Sequence, residues 1–160
     1  MDLTKKTNSE IDIWIANHER KKETGSELYK DLIAERSLRH GRGLSIDVSI
    51  EAMKKAAREQ RYISYGELAE ANGINWSKAR HLMNGKHGHL DSLLAHCHSH
   101  SLPLFTAIVV QKGKLGTGLM DDFTLAGFIE GVERLGRVVI DARKYLSECQ
   151  EQCFSWGKVH

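Results

Sequence analysis

Apolar residues in this chain recur mainly at spacings of three and four, the period of helices that bury one face. Over residues 8–38 the pattern predicts two polar helices. The first starts near Ser9, where Ser9-Glu10-Ile11-Asp12 reads as a capped start, and it gathers Ile11, Ile13, Trp14 and Ile15. The second runs from about Ser26 to Arg39, with Leu28, Leu32, Ile33 and Leu38 as its apolar stripe. Neither stripe is strong enough to hold an isolated helix. Both helices are therefore expected to pack on the remaining core, or on a second copy of the chain as a homodimer. His40-Gly41-Arg42-Gly43 reads as a hinge. It divides an N-terminal helical arm, residues 1–43, from a main domain, residues 44–160.

Past the hinge the periodicity sharpens. Ser49 to Gln60 predicts a helix with Ile50, Met53, Ala56 and Ala57 inward and Lys54, Lys55 and Arg58 outward. Ser64-Tyr65-Gly66-Glu67-Leu68-Ala69 opens a short helix that Asn72-Gly73 stops. Ser77 is placed to cap a second short helix, Lys78 to Met83, which ends at Asn84-Gly85. Two short helices joined by a turn containing glycine outline a helix-turn-helix. Another helix is expected over Asp91 to His100, with Leu90, Leu93, Leu94 and Cys97 facing in. Leu104 to Val110 is apolar and β-branched, the pattern of a buried strand. The glycine-rich run from Lys112 to Gly118 predicts a turn and a return strand. Two more helices follow, about Asp122–Leu135 and Ile140–Phe154, with Trp156 pinning the C-terminus to the core. The expected fold class is α+β, mostly helical: a winged helix-turn-helix-like core with two N-terminal and two C-terminal helices.

Ile63-Ser64-Tyr65-Gly66-Glu67-Leu68-Ala69 resembles the turn and helix start in the DNA-binding domain of alkylguanine-DNA alkyltransferases and alkyltransferase-like proteins. In that family a tyrosine at this position helps rotate a nucleotide out of the duplex, and an arginine about fifteen residues later fills the space left behind. Tyr65 and Arg80 match the two positions. Pro103-Leu104-Phe105-Thr106-Ala107-Ile108-Val109-Val110, with Gly113, Leu115, Gly116 and Gly118, resembles the family's active-site strand and glycine turn. The family places Pro-Cys-His-Arg before its two valines, whereas this chain has Phe105-Thr106-Ala107-Ile108. Thiolate nucleophile and activating histidine are both missing, which excludes direct alkyl transfer under that alignment. The resemblance covers about a third of the chain. The Leu102-Pro103 and Thr106-Ala107 pattern also resembles modules of bacterial and phage defence or restriction proteins.

At 41% hydrophobic and 28% charged, the chain has the composition of an ordinary globular protein. No apolar run approaches the roughly 18–20 residues of a membrane helix, and the start is not a secretory signal. Three cysteines do not make a disulfide framework. A cytoplasmic setting without membrane is expected. Net charge is only +2, so local patches must carry any nucleic-acid interface.

Lys78, Arg80, His81, Lys86 and His87 fall on or just after the second short helix, and Lys112 and Lys114 lie in the glycine-rich turn. In a winged helix both places face a duplex, where cations neutralise phosphates and release counterions. On an ordinary helix they are a solvated surface. Trp76 either packs on a sugar or anchors the turn, and Tyr65 either meets the backbone or closes a packing gap. Arg80 leads the set, because a guanidinium can bond a base edge bidentately or stack in a vacated base position.

His87, His89, His96, Cys97, His98 and His100 form the densest histidine and cysteine cluster. Cys97, His100, Cys149 and Cys153 could compose a zinc site bridging two helices, although no C-x-x-C knuckle supports it; no cofactor is otherwise expected. An enzymatic reading would use His98 or His100 as the general base of a nuclease, but Asp91, Asp121 and Asp122 lack diagnostic spacing. No HExxH, P-loop, GxGxxG, GxSxG or HRD sequence is present. The leading expectation is a non-catalytic protein binding double-stranded DNA, regulatory or defence-related. The alternatives are a protein-interaction module of inhibitor, immunity or antitoxin type, and a histidine-dependent nuclease.

Overall fold

Side-chain caps fix where most helices begin. Thr7 opens α1 (Asn8–Arg20), with Glu10 returning a bond to the cap backbone. Ser26 accepts from the Tyr29 amide at the start of α2 (Glu27–His40). Ser45 opens α3 (Ile46–Arg58), and Ser64 with Glu67 forms a reciprocal capping box on α4 (Tyr65–Ala71). Asn75, rather than Ser77, caps α5 (Trp76–Met83); its Oδ1 accepts from both the amide and the hydroxyl of Ser77. The remaining helices are α6 (His89–Ser99), α7 (Asp122–Arg134, capped by Asp121) and α8 (Ala142–Val159, capped by Asp141). In this computed structural model the described residues are 2–40, 43–85 and 88–160. Lys86 and His87, expected in the interface, and the Gly41-Arg42 centre of the hinge lie outside them.

The chain is α+β and mostly helical, with the expected pairs of helices at each end of the sequence. The core is built on α3, whose Ile50, Met53, Ala56 and Ala57 are buried as their spacing predicts. α8 crosses α3 closely because Gly157 has no side chain: a Cβ there would strike the Ala57 carbonyl. Trp156 meets Phe105 edge-on at 5.0 Å and lies beneath Lys54 and Arg58, anchoring α8 as expected. The arm joins the same core through Ile11, Ile15, Tyr29, Leu32 and Ile33. Its apolar stripes are narrower than expected. On α2 the buried face is Tyr29, Leu32, Ile33 and Arg36, and Leu38 falls on the opposite side, 79% exposed.

The hairpin expected over Leu104–Gly118 does not form among the described residues. Phe105–Ile108 is a buried 3-10 turn, and only Val109–Val110 is strand (β2). Its partner is β1, Ile63–Ser64, in parallel register, Ile63 opposite Val109 and Ser64 opposite Val110. Lys112–Lys114 is a further 3-10 turn rather than the tip of a hairpin. The parallel pair has a direct consequence. It brings the first residue of α4, Tyr65, level with Gln111, the residue that follows β2.

Candidate nucleic-acid interface and its groove

A groove of about 550 Å³ opens between α5, α6 and α7. Its lining includes Tyr65, Trp76, Thr106, Gln111 and Asp121, and also Asp91 and Arg134. α7 forms one wall with Phe123, Gly127, Glu130 and Arg134, residues that share a helix face. Leu90 and Leu94 of α6 form the facing wall. Close approach of α6 and α7 depends on Gly131, where a Cβ would come within 2.7 Å of the Leu94 side chain.

The polar groups of the groove differ in how well they are satisfied. Asp121 accepts from the Thr124 amide at 2.7 Å and from Gln111 at 3.3 Å, and these bonds hold its carboxyl below the usual range. Asp91 and Arg134 pair at 2.6 Å. Behind that pair a cavity of about 20 Å³, the space of one water, is lined by Glu19, Tyr29 and Arg36 of the arm. Thr106 is different. Its hydroxyl is buried and has no hydrogen-bond partner among the described residues. Phe123 is also unusual, leaving a large apolar ring 89% exposed at the groove edge.

Tyr65 and Trp76, both singled out in the sequence, do meet. Their rings stack with centroids 6.1 Å apart at the groove mouth. Burial, reinforced by Asp121, pushes the Tyr65 phenol up to about 12, so it stays a neutral donor. Lys78, Arg80 and His81 lie exposed on α5, with Arg80 Nε directed at His81 Nε2 at 3.4 Å. Lys112 and Lys114 are exposed on their turn. That turn follows Gln111, and Lys114 acts electrostatically on Asp121, so these lysines flank the same mouth. Arg80 is not among the residues lining the groove.

The histidines and cysteines are not gathered in this way. His89 is buried with Nε2 at 2.7 Å from Ser49 Oγ, which also accepts from Asn72. Burial lowers its pKa to about 4. His96 and His100 stack at 4.0 Å, and His100 Nδ1 faces the His96 carbonyl at 2.9 Å. His98 accepts from Arg137 at Nδ1 and meets Thr24 Oγ1 through Nε2, which leaves no ring nitrogen free to act as a base. Of the four residues considered for zinc, Cys97, Cys149 and Cys153 are buried, while His100 faces solvent. Desolvation raises the thiols of Cys97 and Cys149, to about 12 and about 11. Among the described residues no group of three or more His, Cys, Asp or Glu is arranged around a metal position.

Phe123, Glu130 and Arg134 carry no motif. Their only sequence signal is a shared face on α7, and nothing local says that α6 stands opposite. No helix among the described residues is long and apolar enough to cross a membrane. No family model, curated protein or solved structure matches the chain.

Proposed function

We propose that the chain is a non-catalytic DNA-binding protein. α4 and α5 act as a helix-turn-helix, with the Lys112–Lys114 turn in the position of a wing. Cations on both sides of the groove mouth take backbone phosphates, and the groove receives a base rotated out of the duplex. The observation that carries this reading is the groove itself. Its mouth is aromatic, Lys114 acts on Asp121 there, and its lining includes a buried hydroxyl with no partner among the described residues. Such a hydroxyl costs stability unless something bonds to it. The resemblance at Tyr65 and Arg80 points the same way. Thr106 standing where the family's cysteine would be makes the role recognition rather than transfer. The three thiols, free and buried, suit a reducing cytoplasm.

The test is fluorescence anisotropy with duplex, single-stranded and O6-alkylguanine-containing oligonucleotides across a salt series. Four phosphate contacts by Lys78, Arg80, Lys112 and Lys114 would give a log–log salt slope of about −3.6, and removal of one lysine would lower it by about 0.9. Arg80→Ala is expected to weaken binding roughly tenfold. No binding by the wild type at low salt would sink the proposal. The second reading, a protein-interaction module, is favoured by Ile13 and Leu38, which lie exposed on α1 and α2 where a protein partner or a second copy would cover them.

A further inference from the structure

The last turn of α6 carries a pair of imidazoles. His96 and His100 have the four-residue spacing that puts two side chains on one helix face. Their rings lie nearly parallel, 20° apart in plane, with centroids 4.0 Å apart. His100 is exposed and His96 half-buried, so solvent reaches the pair. His100 Nδ1 lies 2.9 Å from the His96 carbonyl oxygen. A carbonyl only accepts, so Nδ1 carries the ring proton and Nε2 keeps its lone pair. That bond is the usual support of a metal-bound histidine, fixing both its tautomer and its ring orientation. The His96 ring makes no hydrogen bond among the described residues. Burial, and next the His100 ring beside it, lower its pKa to about 4, which keeps it neutral and able to ligate. His18 and His160 also turn Nδ1 toward a carbonyl four residues back, but their ring neighbours are Tyr29 and Trp156 rather than an imidazole.

Two imidazoles so placed can share one ion. Metal–nitrogen bonds of about 2.0–2.1 Å allow ligating nitrogens roughly 3–4 Å apart. Imidazole suits copper, nickel and zinc, whereas magnesium and calcium take oxygen ligands. The local field favours a cation. α6 ends here, at the negative pole of its dipole, and Asp47 at the start of α3 acts on His96 in the same sense. Lys54 opposes it, but its ammonium is also drawn to Glu51 at 3.5 Å and lies over the Trp156 ring. We propose that His96 and His100 form, through one ring nitrogen each, a site for a single divalent transition-metal ion whose remaining coordination is completed by water. The site depends on neither the groove nor DNA binding.

The experiment titrates the full chain, without an affinity tag, with Ni2+ and with Mg2+ by calorimetry near neutral pH. One Ni2+ per chain is expected, and no binding of Mg2+. His96→Gln and His100→Gln each leave a single imidazole, and each should weaken Ni2+ binding roughly tenfold, because the second ligand no longer binds intramolecularly. His18→Gln, which removes a histidine outside the pair, should leave the affinity unchanged. Electron paramagnetic resonance of the Cu2+-loaded protein supplies a readout that a folding defect does not imitate: two coordinating nitrogens in the wild type and one in either variant. Ni2+ affinity unmoved by both variants, several equivalent Ni2+ sites per chain, Mg2+ bound as well as Ni2+, or a single nitrogen in the wild-type Cu2+ spectrum would each overturn the proposal.

Discussion

Thr24 and Thr106 are both almost fully buried, at 3% and 6% exposed, and their hydroxyls have opposite surroundings. Thr24 belongs to a directed chain of bonds. Arg137 Nε donates to His98 Nδ1, so the ring proton is on Nε2 and is given to Thr24 Oγ1 at 2.8 Å. The Thr24 hydroxyl then donates to the Leu135 carbonyl at 3.1 Å, closing the chain. Every polar atom has a use within the fold, and the result ties the arm to α6 and to the end of α7. Thr106 has no such use among the described residues and lines the groove. Around α6, His98 is fully bonded in this way, whereas His89 Nδ1 is, like the Thr106 hydroxyl, buried without a partner among the described residues. What distinguishes Thr106 from the unpartnered His89 Nδ1 is that its residue also lines an open groove.

The largest expected difference between the two regions appears with pH. His89 is buried between α3 and α6 with a pKa near 4, below the value near 6.5 of an unfolded chain. In that interval the unfolded state binds the extra proton. Stability is therefore fully present above about pH 6.5 and is lost as pH falls toward 4, by about 3 kcal/mol for this group. His96 and His98, also lowered by burial but partly open to solvent, add less in the same direction. Urea unfolding at pH 7, 6, 5 and 4.5 checks this, with His89→Gln expected to flatten the profile. Equal stability of the wild type at pH 7 and pH 5 would contradict the picture of a neutral, buried histidine network.

Thr24→Val attacks the satisfied region directly. The substitution preserves shape but strands the His98 Nε2–H and the Leu135 carbonyl. The expected cost is about 2 kcal/mol, or roughly 5 °C in Tm for a domain of this size. DNA affinity should be unchanged, because the groove is built from other residues. An unaltered melting temperature would mean that the bond chain does not hold the arm.

Much of this architecture was legible in advance, for local reasons. Capping boxes, glycine stops and three-four periodicity are short-range signals, and α3, α4 and α7 fall close to where they were expected. Leu104–Val110 misled because burial demands apolar residues whatever the backbone shape. A buried 3-10 turn and a buried strand look alike in sequence. The partner of Val109–Val110 is Ile63–Ser64, far away in the chain and parallel, whereas the glycine-rich run suggested an adjacent antiparallel return. Gly118 instead takes a φ of +69° and packs where a side chain would collide with the Tyr62 ring. The groove was half visible. Tyr65 and Trp76 stood out as residues, but the wall formed by Phe123, Glu130 and Arg134 exists only once α6 and α7 are paired.

Thr106→Val makes the same chemical change as Thr24→Val and is expected to act with the opposite sign. Removing a buried hydroxyl that has no partner eliminates a desolvation cost and leaves nothing behind unsatisfied. The variant should be more stable than the wild type by about 1 kcal/mol, the smallest of these effects, measured by urea unfolding without ligand. Its binding should move the other way. If the hydroxyl is kept for a hydrogen bond to a base in the groove, Thr106→Val loses preference for a modified duplex over an unmodified one. Salt-dependent binding to plain duplex should remain, because the proposed phosphate contacts are made by cations outside the groove. A destabilised Thr106→Val protein would mean that the hydroxyl is bonded within the fold after all, and the contrast between the two threonines would disappear. A stabilised protein with unaltered preference would separate the orphan from the ligand and leave the groove's aromatic mouth as the part that recognises it.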